Sequence, residues 1–173
     1  MSLQLRTSNR NRNKPVVFTP AKYEKFSLNK NKALDKKLEA CHRTSDVKVD
    51  EKHGNLILEL SAAPYEVLKT EIEVYFEQHS TYKLAGTNQL DKEGLCTRTS
   101  YSVKNRRSNR QSYRINMFHT TSRIEINGHG MELFTTHFND IYRSMRNKGD
   151  FKNLNKQIES KINKLREKNS PYM

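Results

Sequence analysis

In the second half of this chain the apolar residues change their period once, and sharply. Thr97, Thr99, Tyr101 and Val103 alternate with Arg98, Ser100, Ser102 and Lys104. Tyr113, Ile115 and Met117 alternate in the same way with Arg114, Asn116 and Phe118, and Ile124 and Ile126 keep the two-residue step. After "NGHG" at 127–130 the spacing becomes helical, with Met131, Phe134, Phe138, Ile141, Tyr142 and Met145 on one face. A period of two marks strands buried on one side, and steps of three and four mark an amphipathic helix. Asn-Gly followed by a second glycine favours a turn at the junction. A run of strands that hands over to a helix predicts an antiparallel sheet with helices packed on one face. Its other face then stays open to solvent or ligand.

The same logic places the flanking elements. "HGNLILELS" reads as a short strand through Leu56, Ile57, Leu58 and Leu60. "SAAPYEVLKTEIEVYFEQH" reads as a helix, with Pro64 in its first turn and Leu68, Ile72, Tyr75, Phe76 and His79 on the buried side. Residues 80–96, which contain "AGTNQLDKEG", read as a turn-rich loop, and "NRRSNRQ" and "HTTS" read as connections. "ALDKKLEACHR" at 33–43 suits a short helix whose apolar face is too thin to stand alone. In "DFKNLNKQIESKINKLREK" a stripe of Phe151, Leu154, Ile158, Ile162 and Leu165 can dock on the domain, pair with another helix or touch a membrane. The predicted order is strand, helix, three strands, helix, helix. The expected organisation is a basic disordered arm over 1–32 and an α+β domain over 33–149, whose curved antiparallel sheet core spans 55–146. A basic amphipathic helix over 150–168 and a tail over 169–173 complete it.

Charge narrows the function classes. Lys and Arg number 32 against 19 Asp and Glu, a formal net charge of +13, which favours anionic partners. With 34% hydrophobic residues and no Trp, only a modest core is available. Cys41 and Cys96 are too few for a disulfide framework or a cysteine zinc site and suit a reducing compartment. The absence of a long apolar run predicts a soluble intracellular protein without a membrane partner.

Catalytic readings find little purchase. His119, His129 and His137 lack metal-ligand spacing, and no H-E-x-x-H pattern occurs. Ser122 lies near His119 without a G-x-S-x-G elbow, and there is no G-x-x-x-x-G-K phosphate loop. The hydroxyls of Thr120, Thr121 and Ser122 suit the closing of a turn instead. A non-enzymatic chain without metal or other cofactor is expected.

The basic residues cluster more tellingly. Arg98, Lys104, Arg106, Arg107, Arg110, Arg114 and Arg123 fall in neighbouring strands and their connection, where they would neutralise phosphates. Asn116 and Phe118 share a strand face with Arg114, where they would touch sugar or base. The competing account is a solvated sheet face kept positive for solubility.

"RINMFHTTSRIEINGHGMELF", within 97–146, resembles a repeat unit of TATA-binding-protein-like domains, such as the one at the N-terminus of type III ribonuclease H. It is also similar to a segment of invertebrate mobile-element-encoded proteins, some of which carry a PHD-type zinc finger elsewhere. The resemblance implies a curved sheet whose concave face meets a nucleic-acid duplex. This chain has neither the two similar halves nor the paired wedge phenylalanines of the TATA-binding protein, and no cysteine-rich finger. The expected function is nucleic-acid binding, RNA or DNA, with low sequence specificity. The alternatives are an assembly module that homo-oligomerises through 151–168 and a substrate-binding accessory domain of a nucleic-acid enzyme.

Overall fold

A computed structural model describes residues 30–92 and 94–168 of the 173-residue chain. The arm expected over 1–32 lies outside the described residues up to residue 29, as does the tail at 169–173. The elements run α1 (Lys30–Cys41), β1 (Val47–Lys52), β2 (Asn55–Leu60), α2 (Ala62–Gln78), β3 (Tyr82–Leu90), β4 (Cys96–Asn105), β5 (Gln111–Phe118), β6 (Arg123–Asn127), α3 (Met131–Arg146) and α4 (Phe151–Lys168). This is the α+β fold that the periods predict.

The six strands form one antiparallel sheet in the order β1-β2-β6-β5-β4-β3. α2 therefore carries the chain from β2 to the far edge, and β3 to β6 return as a meander that closes against β2. Two strands lie where the sequence predicts none. β1 is the "VKVDEK" segment, whose charges mask its alternation, and it widens the sheet beyond the expected start at residue 55. β3 occupies the region predicted as a loop, because "AGTNQL" has turn composition but pairs along its whole length with β4.

The alternation works as read. Leu58, Leu60, Ile124, Ile126, Ile115, Met117, Tyr113, Val103 and Tyr101 project from the sheet into the core. There they meet Leu68, Ile72 and Phe76 of α2 and Phe134, Ile141 and Met145 of α3. A side chain of this size, fully buried, contributes about 1.5–3 kcal/mol. The α4 stripe docks inside the domain. Phe151 and Leu154 join the main core, while Ile162 and Leu165 pack with Leu34, Leu38, Ala40 and Cys41 of α1. This answers the thin face of α1, since the two helices cover each other.

The "NGHG" junction passes tightly over the start of β5. A Cβ on Gly128 would lie 2.9 Å from the Tyr113 Cα, and one on Gly130 would lie 2.7 Å from the Ser112 carbonyl oxygen. Gly130 N–H donates to that same oxygen at 2.7 Å. Both glycines are needed for close approach, and Gly128 also for its φ of +120°.

Candidate nucleic-acid interface

Strand register sorts the open face residue by residue. One row crosses the sheet as Lys48, Glu59, Arg123, Phe118, Arg98 and Gln89. The next reads Asp50, Ile57, Glu125, Asn116, Ser100 and Thr87, and the third ends Asn127, Arg114, Ser102 and Ala85. Lys104 and Lys83 lie opposite each other beyond that. Arg98, Lys104, Arg114, Asn116, Phe118 and Arg123 thus share one face, as predicted.

The face divides into two electrostatic halves. β3, β4 and β5 contribute Lys83, Arg98, Lys104 and Arg114, and none of these strands contains an acidic residue. β1, β2 and β6 are mixed, with Asp50, Glu59 and Glu125 among their open-face residues. Arg123 Nη2 there donates to the Glu59 carboxylate, and the bond and charge of Arg123 hold that carboxyl below its usual range. Asn55 Nδ2 donates to Glu125 at 3.2 Å. The positive half is therefore the β3–β5 half.

Within it the groups are arranged around Phe118. The Arg98 guanidinium lies 5.9 Å from the centre of the Phe118 ring, and its Nε is buried without a hydrogen-bond partner. A buried donor of this kind is uncommon and calls for an acceptor. Ser100 Oγ donates to Asn116 Oδ1 at 2.8 Å, and Asn116 is only 9% exposed. Asn116 is thus a support of the surface more than a contact on it. Lys83 belongs to the half but stood in a predicted loop. Its signal was its place opposite Lys104 in a hairpin, visible only once β3 is known to be a strand.

The β4–β5 connection holds Arg106, Arg107 and Arg110, and the structure separates them. Arg106 Nε donates to the carbonyls of His79 at 2.8 Å and Tyr82 at 3.1 Å, and Nη2 to those of Phe76 at 2.8 Å and Glu77 at 3.4 Å. Its guanidinium closes the C-terminus of α2, where carbonyls lack helical partners. Arg107 and Arg110 stay exposed, with the turn shaped by Asn105 Oδ1, which accepts from the Arg107 and Ser108 N–H groups.

The "HTTS" turn is built differently. Ser122 has φ +53° and no exposed surface, and its Oγ accepts from Lys37 Nζ at 2.8 Å. The same ammonium pairs with Glu66 at 2.7 Å and stands 4.7 Å over the Tyr65 ring. Burial raises the Glu66 carboxyl, but Lys37 and Lys69 outweigh it and hold it down to about 2. Arg43 of the α1–β1 connection donates to the carbonyls of Leu60 at 2.5 Å and Thr121 at 2.9 Å. His119 sits in a directional chain with Tyr65 Oη and Thr99 Oγ1, each at 2.8 Å, and Thr99 donates onward to Asn88 Oδ1 at 2.9 Å. That direction makes Nε2 the protonated nitrogen and Nδ1 the acceptor from Tyr65. Burial and the nearby Lys69 push the imidazole down to about 3, so it is neutral. A serine sealed from solvent, against a lysine ion-paired to glutamate, is a clamp between α1, α2 and the hairpin. No local pattern marks Lys37 and Glu66, which meet across 29 positions.

No helix among the described residues is long and apolar enough to cross a membrane. No protein-family model matches the chain, and neither a curated protein nor a solved structure matches it.

Proposed function

We propose that the chain is a non-enzymatic nucleic-acid-binding domain of low sequence specificity that uses the β3–β5 half of its open sheet face. The observation that carries this reading is the set of Lys83, Arg98, Lys104 and Arg114 on strands without a single acid. The unpartnered Nε of Arg98 adds a donor without an acceptor beside an aromatic ring. Cations beside a half-exposed Phe118 suit phosphate pairing with base stacking, which is the manner of single-strand binding on sheets. Hydroxyls of Ser100, Ser102 and Thr87 fill the same surface with small polar groups that fit many sequences. The TATA-binding-protein-like resemblance points to the same class of ligand and the same kind of surface. Arg107 and Arg110 extend the positive half past the end of the sheet. Arg106, Arg123 and Asn116 are engaged within the protein and support the surface.

Six phosphate contacts, from Lys83, Arg98, Lys104, Arg107, Arg110 and Arg114, give a slope of log affinity against log salt of about −4 on a single strand, or about −5.4 on B-form DNA. Fluorescence anisotropy at three salt concentrations measures it. Arg98→Glu combined with Arg114→Glu should weaken binding to all sequences alike, because phosphate contacts carry no base information. Equal affinity of this variant and the parent would reduce the positive half to a solvated face.

A further inference from the structure

The two edges of the sheet differ. β1 ends it with Lys48, Asp50, Glu51 and Lys52, charges of the sort that discourage edge-to-edge pairing. β3 ends it with Leu84–Leu90, a stretch without charge, in which Ala85 to Leu90 are exposed. Its outward groups can be assigned. Arg106 N–H donates to the Thr81 carbonyl at 2.8 Å, which turns Thr81 toward β4, and the antiparallel ladder alternates from there. Lys83, Ala85, Thr87 and Gln89 thus face β4, while Tyr82, Leu84, Gly86, Asn88 and Leu90 present N–H and C=O to the free edge. Tyr82 is already engaged, donating to His79 Nδ1 and accepting from Arg106. Among the described residues no strand pairs with this edge, and from Leu84 to Leu90 the ladder is open.

We infer that this edge pairs with the β3 edge of a second copy of the chain, antiparallel and centred on Gly86. The strand Tyr82–Leu90 is itself centred on Gly86, so full overlap selects that register. In it Leu84 faces Asn88 of the second copy and Gly86 faces Gly86, all with outward-pointing backbone. Lys83 faces the neutral Gln89, so no like charges meet across the seam. Leu90, a large apolar side chain left 52% exposed, lands opposite the half-buried Tyr82. A one-residue slip would set inward-facing groups against outward-facing ones and lose the bonds. The pairing joins the two β3–β5 halves across the seam into one positive surface. The contact is a single strand pair, smaller than the interface of a stable complex, so a weak, concentration-dependent dimer is expected.

The pairing rests on the edge alone, and it is tested without nucleic acid so that its failure is separate from that of the binding reading. Light scattering of the full chain should show the molar mass doubling as concentration rises from low to high micromolar. Amide exchange followed by NMR should slow with concentration at Gly86 and Asn88, while Ala85 and Thr87, bonded to β4, stay slow throughout. Asn88→Pro removes an outward N–H and leaves the β4 backbone ladder intact, though it also removes the Oδ1 that accepts from Thr99; Leu90→Lys, which removes no such contact, places charge at the seam. Both should remain monomeric, while Val49→Lys on the β1 edge should behave as the parent. A monomer at every concentration overturns the inference, as does a dimer that survives both β3 variants or leaves Gly86 and Asn88 exchange unchanged.

Discussion

Two turns of one meander show how far local sequence can mislead. "HTTSR", between β5 and β6, concentrates the residue types of catalytic sites, yet it is a sealed joint that fastens α1 and α2 to the sheet. "NRRSNR", between β4 and β5, looks uniformly basic, yet Arg106 turns back to cap α2 while Arg107 faces solvent. Reactive-looking side chains were consumed by folding in the first turn. Only part of the charge stayed available in the second. What a polar residue does here depends on whether a helix end or a buried ion pair lies within reach.

The sharpest way to break this contrast is Lys37→Met. Removing one member of a buried pair leaves Glu66 without its nearest cation and Ser122 without its donor, at a cost of about 3–5 kcal/mol. Urea unfolding measures it, and a loss under about 1 kcal/mol would mean that the turn is held by packing alone. The salt slope of the folded protein should not change.

Acid should act on the same joint. His119 is lowered from 6.5 to about 3 in the folded chain, so between these values the unfolded state holds more protons. The stability it contributes is complete above about pH 6.5 and is lost as pH falls toward about 3. Glu66, lowered from 4.5 to about 2, adds a loss of the same sign at lower pH. The thermal midpoint should therefore drop steadily below pH 6.5. His119→Gln should flatten that drop, with His137, lowered by its burial to about 4, supplying the remainder. An unchanged slope in this variant would show that His119 takes up its proton in the folded chain.

The second turn gives smaller effects that separate its arginines. Arg106→Gln should cost stability by about 1.5–3 kcal/mol, the worth of hydrogen bonds to a charged group. Arg107→Glu should leave the unfolding midpoint within about 0.5 kcal/mol, as for a surface substitution, and lower the salt slope by about 0.7 on a single strand. If the two variants were indistinguishable in both measurements, the turn would have no structural member.

Much of the fold was legible beforehand because burial leaves a periodic trace. β4, β5, β6, α2 and α3 fall where alternation and helical spacing place them. β1 and β3 did not show, since an edge strand is half solvated and need not alternate cleanly. Of the candidate interface, the sequence supplied Arg98, Lys104, Arg114 and Phe118 on one face, because a period of two fixes sides without further information. It missed Lys83 with its strand.

Thus the sequence alone determined the layers and the side on which each residue of the inner strands would project, since these follow from local periodicity. Tertiary structure decided which cations remain available. Arg106 met the C-terminus of α2, Arg123 met Glu59, and Lys37 met Glu66 through chain reversals that bring distant positions together. Whether a charge is neutralised depends on a partner within a few ångströms, and no local pattern encodes that distance.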